Sequence, residues 1–389
     1  MESMRILYVS EATGWTGGGS RLLSAARELL RRGHRVAAAC PRDGELGRRL
    51  AQAGVEIYPL KIRQDYDVIC AYRLARLVRQ WKAEILHAQH SQAHAVALLA
   101  SYFMDPLPII VTRHVVFRMR KNPFSKFKYR SRRISRYEVV SEAVAAEIAT
   151  IGIDKEKITV IPPGIDLDIW EKVRQQRNAV LPKEPMSVLM VGNYSSFKGH
   201  QVLLQAAVEV RRALPGTLFR LAGRDTEKLK PLVEKLNLGK NVELLGERSD
   251  VADLLSLAHL FVMPSLMEGF GISLIEAQSA MVPAVASAVG GLKQIIKDGE
   301  TGLLVPAGNP EALAQAIIRL LTCPEEAARL AAQGYEEARR KFSHHVMVDR
   351  LENLYKEVLN EFSSRSHVPS RGSRPGDHAA GIQKSAPMA

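Results

Sequence analysis

The chain alternates short β-rich runs with amphipathic helical stretches, and it does so twice in succession. Apolar runs stand at 5–9, 36–40, 57–60, 85–87, 109–112 and 138–140, separated by helical periodicity. A second series follows at 187–191, 217–222, 242–245, 260–263 and 284–286. Continuous apolar runs mark strands covered on both faces, and parallel strands need a crossover helix between them. The pattern predicts an α/β protein made of two successive doubly wound units. The first helix is expected from about Ser20 to Arg32, after the loop Gly14-Trp15-Thr16-Gly17-Gly18-Gly19. The join between units is expected at Ile161-Pro162-Pro163-Gly164, since prolines cannot continue a central strand and glycine lets the chain turn. The last segment, 363–389, is rich in Ser, Pro, Gly and Ala without apolar periodicity and is expected to be disordered.

Composition narrows the function classes. With 46% hydrophobic residues over 389, the chain can bury a large core, so wholesale disorder is excluded. Cys40, Cys70 and Cys323 are too far apart for a disulfide framework or a cysteine-based zinc site. The longest apolar stretch, 93–111, contains His94, Asp105, Pro106 and Pro108, which makes a poor membrane span. The first residues show no secretory signal, so the expected location is the cytoplasm. The net charge of +13 is lopsided: residues 1–160 hold 27 Lys+Arg against 15 Asp+Glu, a net of +12. One basic half predicts one basic surface facing an anionic partner.

The densest chemical signal is Pro264-Ser265-Leu266-Met267-Glu268-Gly269-Phe270-Gly271-Ile272-Ser273-Leu274-Ile275-Glu276, which follows a β run and opens a helix. Gly269 and Gly271 permit close backbone approach, and the free N–H groups of a helix start favour an anion such as diphosphate. Glu276, eight residues after Glu268, is expected about two turns into that helix, where a carboxylate can accept two vicinal hydroxyls. A glycine turn with two solvated carboxylates would give the same letters.

The surrounding segments decide between the two. This stretch resembles the E-x7-E signature of the retaining family 4 glycosyltransferases, which have the GT-B fold of two Rossmann-like domains facing a central cleft. The resemblance extends to Asn241-Val242-Glu243-Leu244-Leu245-Gly246, Val289-Gly290-Gly291-Leu292 and Asp298-Gly299-Glu300-Thr301-Gly302. It also covers Val160-Ile161-Pro162-Pro163-Gly164 and Val191-Gly192-Asn193 with Lys198-Gly199. The resemblance implies an acceptor domain at 1–163, rejoined by a C-terminal helix at about 344–362, and a donor domain at 164–343.

By the same resemblance, Lys198 contacts the donor diphosphate and Glu276 holds the donor ribose. Glu268, Gly269, Phe270, Gly271 and Ile272 surround the donor sugar and phosphates. Gly17 and Gly18 form the glycine loop of the first domain, and His114 stands at a strand end facing the cleft. Three positions depart from the family pattern. Asn193 replaces an arginine, for which Arg224 can substitute; Gln89 replaces the second histidine of His-x-His; and Gln294 replaces a glutamate. His90 and His94 share helical spacing with His87 nearby, but no neighbouring carboxylate or cysteine completes a zinc site. The family's chemistry needs no metal or other cofactor beyond the nucleotide-sugar co-substrate.

The segment 113–136 holds ten Lys+Arg and no acid. Arg118, Arg120, Lys121, Lys126, Lys128, Arg130, Arg132 and Arg133 are its candidate acceptor- or membrane-binding residues, with Phe117, Phe124 and Phe127 interleaved. Such a stretch suits an anionic bilayer or nucleic-acid phosphates. Because the first GT-B domain receives the acceptor, an anionic or lipid-linked glycan acceptor at the inner face of the cytoplasmic membrane is expected, and no nucleic acid. The expected activity is retaining transfer of a sugar in cell-envelope glycoconjugate synthesis. A sugar-nucleotide epimerase and a basic nucleic-acid-binding protein are the alternatives.

Overall fold

A computed structural model describes residues 3–114, 123–180 and 184–366. Two wholly parallel sheets form the frame. The first contains β1 (Arg5–Val9), β2 (Arg35–Cys40), β3 (Glu56–Pro59), β4 (Ile85–Gln89), β5 (Ile109–Arg113), β6 (Arg136–Val139) and β7 (Ile158–Val160). Their order is β3-β2-β1-β4-β5-β6-β7. The second contains β8 (Ser187–Val191), β9 (Leu218–Ala222), β10 (Val242–Gly246), β11 (Leu260–Met263), β12 (Ala284–Ser287) and β13 (Leu303–Val305), ordered β10-β9-β8-β11-β12-β13. In each, strand order reverses beside the first strand, between β1 and β4 and between β8 and β11. Ligands of doubly wound folds bind outside the strand ends at such switch points.

The central strands are buried along their length, which is why they read as unbroken apolar runs. The two strands that sequence periodicity passes over, β7 and β13, have only three residues each and lie at sheet edges. The first helix starts at Gly17 rather than Ser20, because Thr16 Oγ1 accepts from Gly19 N at 3.3 Å and caps it there.

The C-terminal helix His344–Ser366 crosses back onto the first sheet. It buries Met347, Val348, Leu351, Leu354, Tyr355 and Val358 in the same cluster as Ile6, Tyr8, Leu22 and Leu29. Ile165 N to Phe342 O (2.8 Å) and His344 N to Ile165 O (2.9 Å) hold the crossover. The helix runs to Ser366, four residues into the stretch expected to be disordered; Arg136 pairs with Glu361 near its end, and its last turn continues past that anchor. The rest of that stretch, 367–389, lies outside the described residues. No helix among the described residues is long and apolar enough to cross a membrane.

Candidate active site

Loops leaving the C-terminal ends of both sheets meet. A methyl group placed on Gly17, after β1, would lie 3.1 Å from Ile272 Cδ1, after β11. One on Gly14 would lie 3.6 Å from Arg224 Nη1, after β9. Ser141 Oγ, after β6, donates to Gly269 O at 2.7 Å. Thus the glycine loop of the first half and the E-x7-E segment of the second, remote in sequence, form one site.

On the second side, Lys198 Nζ pairs with Glu268 Oε2 at 2.6 Å, and Ser265 Oγ donates to the same oxygen at 3.3 Å. Lys198 keeps 31% of its side chain exposed, so it remains accessible to an anion. Main-chain contacts fix the two loops together: Leu266 N donates to Phe197 O at 2.7 Å, and Gly291 N to Glu268 O at 3.2 Å. The Gly290-Gly291 turn tolerates nothing larger, since a Cβ on Gly290 would sit 1.9 Å from Glu268 O. Gly271, at φ +110°, lets the chain enter the helix Ile272–Ser279. The N–H groups of Ile272 and Ser273 donate to no main-chain carbonyl among the described residues, leaving a helix N-terminus available to an anion. Phe270 contributes only its backbone, because its ring is buried edge-on against Phe342, 5.5 Å between centroids.

Because Gly271 breaks the helical path, Glu276 is the fifth residue of its helix, one turn in rather than two. Burial pushes its carboxyl up to about 7, and no side-chain partner neutralises it among the described residues. Asn193 carries no charge into the site. Its Oδ1 accepts from Arg224 N at 3.0 Å and so shapes the turn that delivers the Arg224 guanidinium to Gly14.

On the first side, His114 and His90 rings lie 4.9 Å apart, and a Cβ on Gly18 would meet both within 3.3 Å. Behind His114 runs a buried network whose polarity one carboxylate sets. Glu138, held by the buried Arg21, accepts from Thr112 Oγ1 at 2.5 Å. With its proton committed, Thr112 accepts from Gln89 Nε2 (3.1 Å) and His87 Nε2 (2.7 Å). Gln89 therefore presents its oxygen to His114 Nε2, at 3.1 Å, which must carry the proton. Burial holds His114 well below the usual histidine range, so it is neutral, with Nδ1 as its lone-pair atom. His87 Nδ1 in turn accepts from Tyr355 OH of the C-terminal helix (2.8 Å), whose oxygen accepts from Tyr8 OH (2.8 Å). Sequence reading noted Gln89 only as a departure and passed over Arg21 and Glu138. A glutamate between Tyr137 and Val139 in the short strand Arg136–Val139 is the available signal.

His87 is thus committed to Thr112 and Tyr355, and His94 packs edge-on against Tyr129 and Tyr137, so the three histidines do not converge. Among the described residues, Glu28, His344 and His345 do bring ligand atoms within 4.8 Å of one another. Their carboxylate already accepts from Arg31 and Arg32 at 2.7 Å each. That cluster is a charge latch between the first helix and the last.

The basic segment divides. Arg118, Arg120 and Lys121 lie outside the described residues, while Lys126, Arg130, Arg132 and Arg133 are exposed. Lys128 is a correction: it is buried, and its Nζ donates to Ser91 Oγ (2.9 Å) and Ser91 O (3.2 Å), with Asp65 at 3.4 Å. Two residues apart on a helix, Lys126 and Lys128 point to different sides, which the charge count cannot register.

Comparison with known proteins identifies the family and the fold. The family "Glycosyl transferases group 1" matches residues 171–337, and "Glycosyltransferase Family 4" matches residues 15–169. The chain belongs to the family 4 glycosyltransferases. It is 27% identical over 282 residues to D-inositol 3-phosphate glycosyltransferase of Corynebacterium glutamicum, covering 65% of this chain and 67% of that protein. It is 23% identical over 354 residues to N-acetyl-alpha-D-glucosaminyl L-malate synthase of Bacillus anthracis, covering 82% and 93%. Among solved structures, Anabaena HepE in complex with UDP-glucose superposes with a TM-score of 0.77 at 21% identity, covering 93% of this chain and all of that one. That likeness establishes the GT-B fold, two parallel-sheet Rossmann-like domains.

Proposed function

We propose that this glycosyltransferase moves a sugar from a nucleotide-sugar donor, with retention and without a metal, onto an anionic or lipid-linked glycan acceptor. The setting is cell-envelope glycoconjugate synthesis at the inner face of the cytoplasmic membrane. The observation that carries the donor reading is one convergence: the helix Ile272–Ser279, with its free first N–H groups, meets Gly17 through Ile272, Arg224 meets Gly14, and Lys198 is held by Glu268 of the same E-x7-E segment. As the bond from the anomeric carbon to the diphosphate breaks, negative charge grows on the leaving oxygen. These groups are fixed beforehand where that charge appears. They supply the positive charge from the protein itself, so the reaction needs no added cation. Glu276 accepts from ribose hydroxyls, and His114 Nδ1 accepts from a hydroxyl of the sugar or acceptor. UDP-glucose in the Anabaena structure supports a nucleotide-sugar donor. Inositol phosphate and malate in the relatives' names are both anionic, which supports an anionic acceptor.

A thermal-shift screen over UDP-, GDP- and ADP-sugars, with and without chelator, tests this. The true donor at 100 times its Kd stabilises by about 2.7 kcal/mol, and chelator is expected to change neither binding nor turnover. No shift with any nucleotide sugar rejects the reading. Conversion of the donor without acceptor supports an epimerase instead.

A further inference from the structure

Seven of the eleven exposed large hydrophobic side chains among the described residues lie at 66–72, 102–103 and 127. They form one face. Tyr72 and Phe103 are in edge-on ring contact at 6.1 Å, and Arg133 lies 4.1 Å above the Tyr102 ring. A shallow cavity of about 420 Å³ joins Tyr102 to Phe127, Lys126 and Arg130. The helix Val68–Trp81 runs along this face with its own packing complete: Cys70, Ala71, Leu74, Ala75, Val78 and Trp81 are buried inward. Ile69, 70% exposed, and Tyr72, 60% exposed, point out beside Arg73 and Arg76. No acid occurs in that helix. None of Arg73, Arg76, Lys126, Arg132 or Arg133 pairs with a carboxylate among the described residues. A contiguous apolar patch of this kind marks an interaction site.

We infer that the helix Val68–Trp81, with Tyr102, Phe103 and Phe127, is a docking face for an anionic lipid bilayer. The inference deepens the membrane element of the proposed function and rests on it. Charge complementarity identifies the occupant: aromatic rings settle at the depth of lipid headgroups, while the cations around them, free of carboxylate partners among the described residues, are attracted to an anionic surface. The outward face of a helix also offers a ridge, which suits a plane better than a bound peptide. The docking face is thus centred on a helix more than thirty residues before the basic run at 113–136, and among the described residues that run contributes its exposed members Lys126, Arg130, Arg132 and Arg133.

Flotation of the full chain with phosphatidylcholine vesicles, with and without phosphatidylglycerol, tests this. Binding is expected only with the anionic lipid and is expected to weaken as salt is raised. The triple variant Ile69→Ser, Tyr72→Ser, Phe127→Ser should lose binding at least tenfold at low salt. Arg76→Gln, Lys126→Gln, Arg132→Gln should lose the preference for anionic lipid. Both should keep the wild-type melting temperature and nucleotide-sugar affinity, since none of these residues touches the donor site. Equal flotation of wild type and variants overturns the inference. So does a dimer that the serine substitutions dissociate, or retention on RNA in place of vesicles. If the wild type floats but binds no nucleotide sugar, the donor reading fails and the docking face stands; the reverse result rejects the face alone.

Discussion

At the scale of single residues, the proposed mechanism rests on charges that are fixed in place, Lys198 paired with Glu268 at 2.6 Å. Replacing Lys198 or Glu268 by Ala is expected to reduce turnover by about 100-fold or more, with the fold intact by circular dichroism; wild-type turnover at saturating donor rejects the assigned role. Glu276 couples binding to pH. Its folded-state pKa of about 7 lies above the ordinary 4.5, so its stability contribution is complete below pH 4.5 and is lost as pH rises through 7. The loss amounts to about 3 kcal/mol. Glu276→Gln should therefore flatten the melting temperature between pH 5 and 8. In the proposed role ribose hydroxyls donate to the ionised carboxylate, so donor affinity should rise across the same window and weaken by about 1.5–3 kcal/mol in Glu276→Ala. Calorimetry at several pH values checks both. In the proposed site Gln89 is a positioning residue, since its Oε1 accepts from His114 Nε2 at 3.1 Å. Gln89→Glu sets a carboxylate against His114 Nε2–H, which should lift the histidine toward its usual range and add an acid limb to the pH profile of turnover. An unaltered profile removes His114 from the machinery.

At the scale of elements, the turns beside strand ends carry the precision. Gly290 holds φ +49° with Glu268 O where a Cβ would stand, so Gly290→Ala should cost about 2 kcal/mol or more in denaturant unfolding and misplace Glu268. A midpoint shift within error contradicts the packing described. These elements were legible in the sequence because their causes are local. Unbroken apolar runs mark the strands and helical periodicity marks the crossovers, and the glycines of 264–276 and 289–292 mark close approach. What stayed hidden at this scale depends on neighbours: the edge strands β7 and β13 are too short for a period. The start of the helix Ile272–Ser279 was misjudged because Gly271 takes a conformation that the letter alone leaves open.

At the scale of the molecule, the C-terminal helix ties the two halves into one working unit. Its six buried apolar side chains are worth roughly 1.5–3 kcal/mol each on the scale of full burial, comparable in sum with the whole net stability of a folded domain. Deleting residues 344–366 should abolish cooperative thermal unfolding, and a sharp melt in the deletion would contradict its structural role. The sequence by itself determined the doubly wound frame, because it follows from short-range apolar pattern, and the family, because its glycine- and carboxylate-bearing motifs stand in order along the chain. Only the tertiary structure decided that Lys128 is buried against Ser91 and Asp65, that Glu138 sets the proton on His114 through Thr112 and Gln89, and that Ile69 and Tyr72 face outward. Burial and hydrogen-bond polarity are set by which distant segments pack together, and no local pattern encodes that choice.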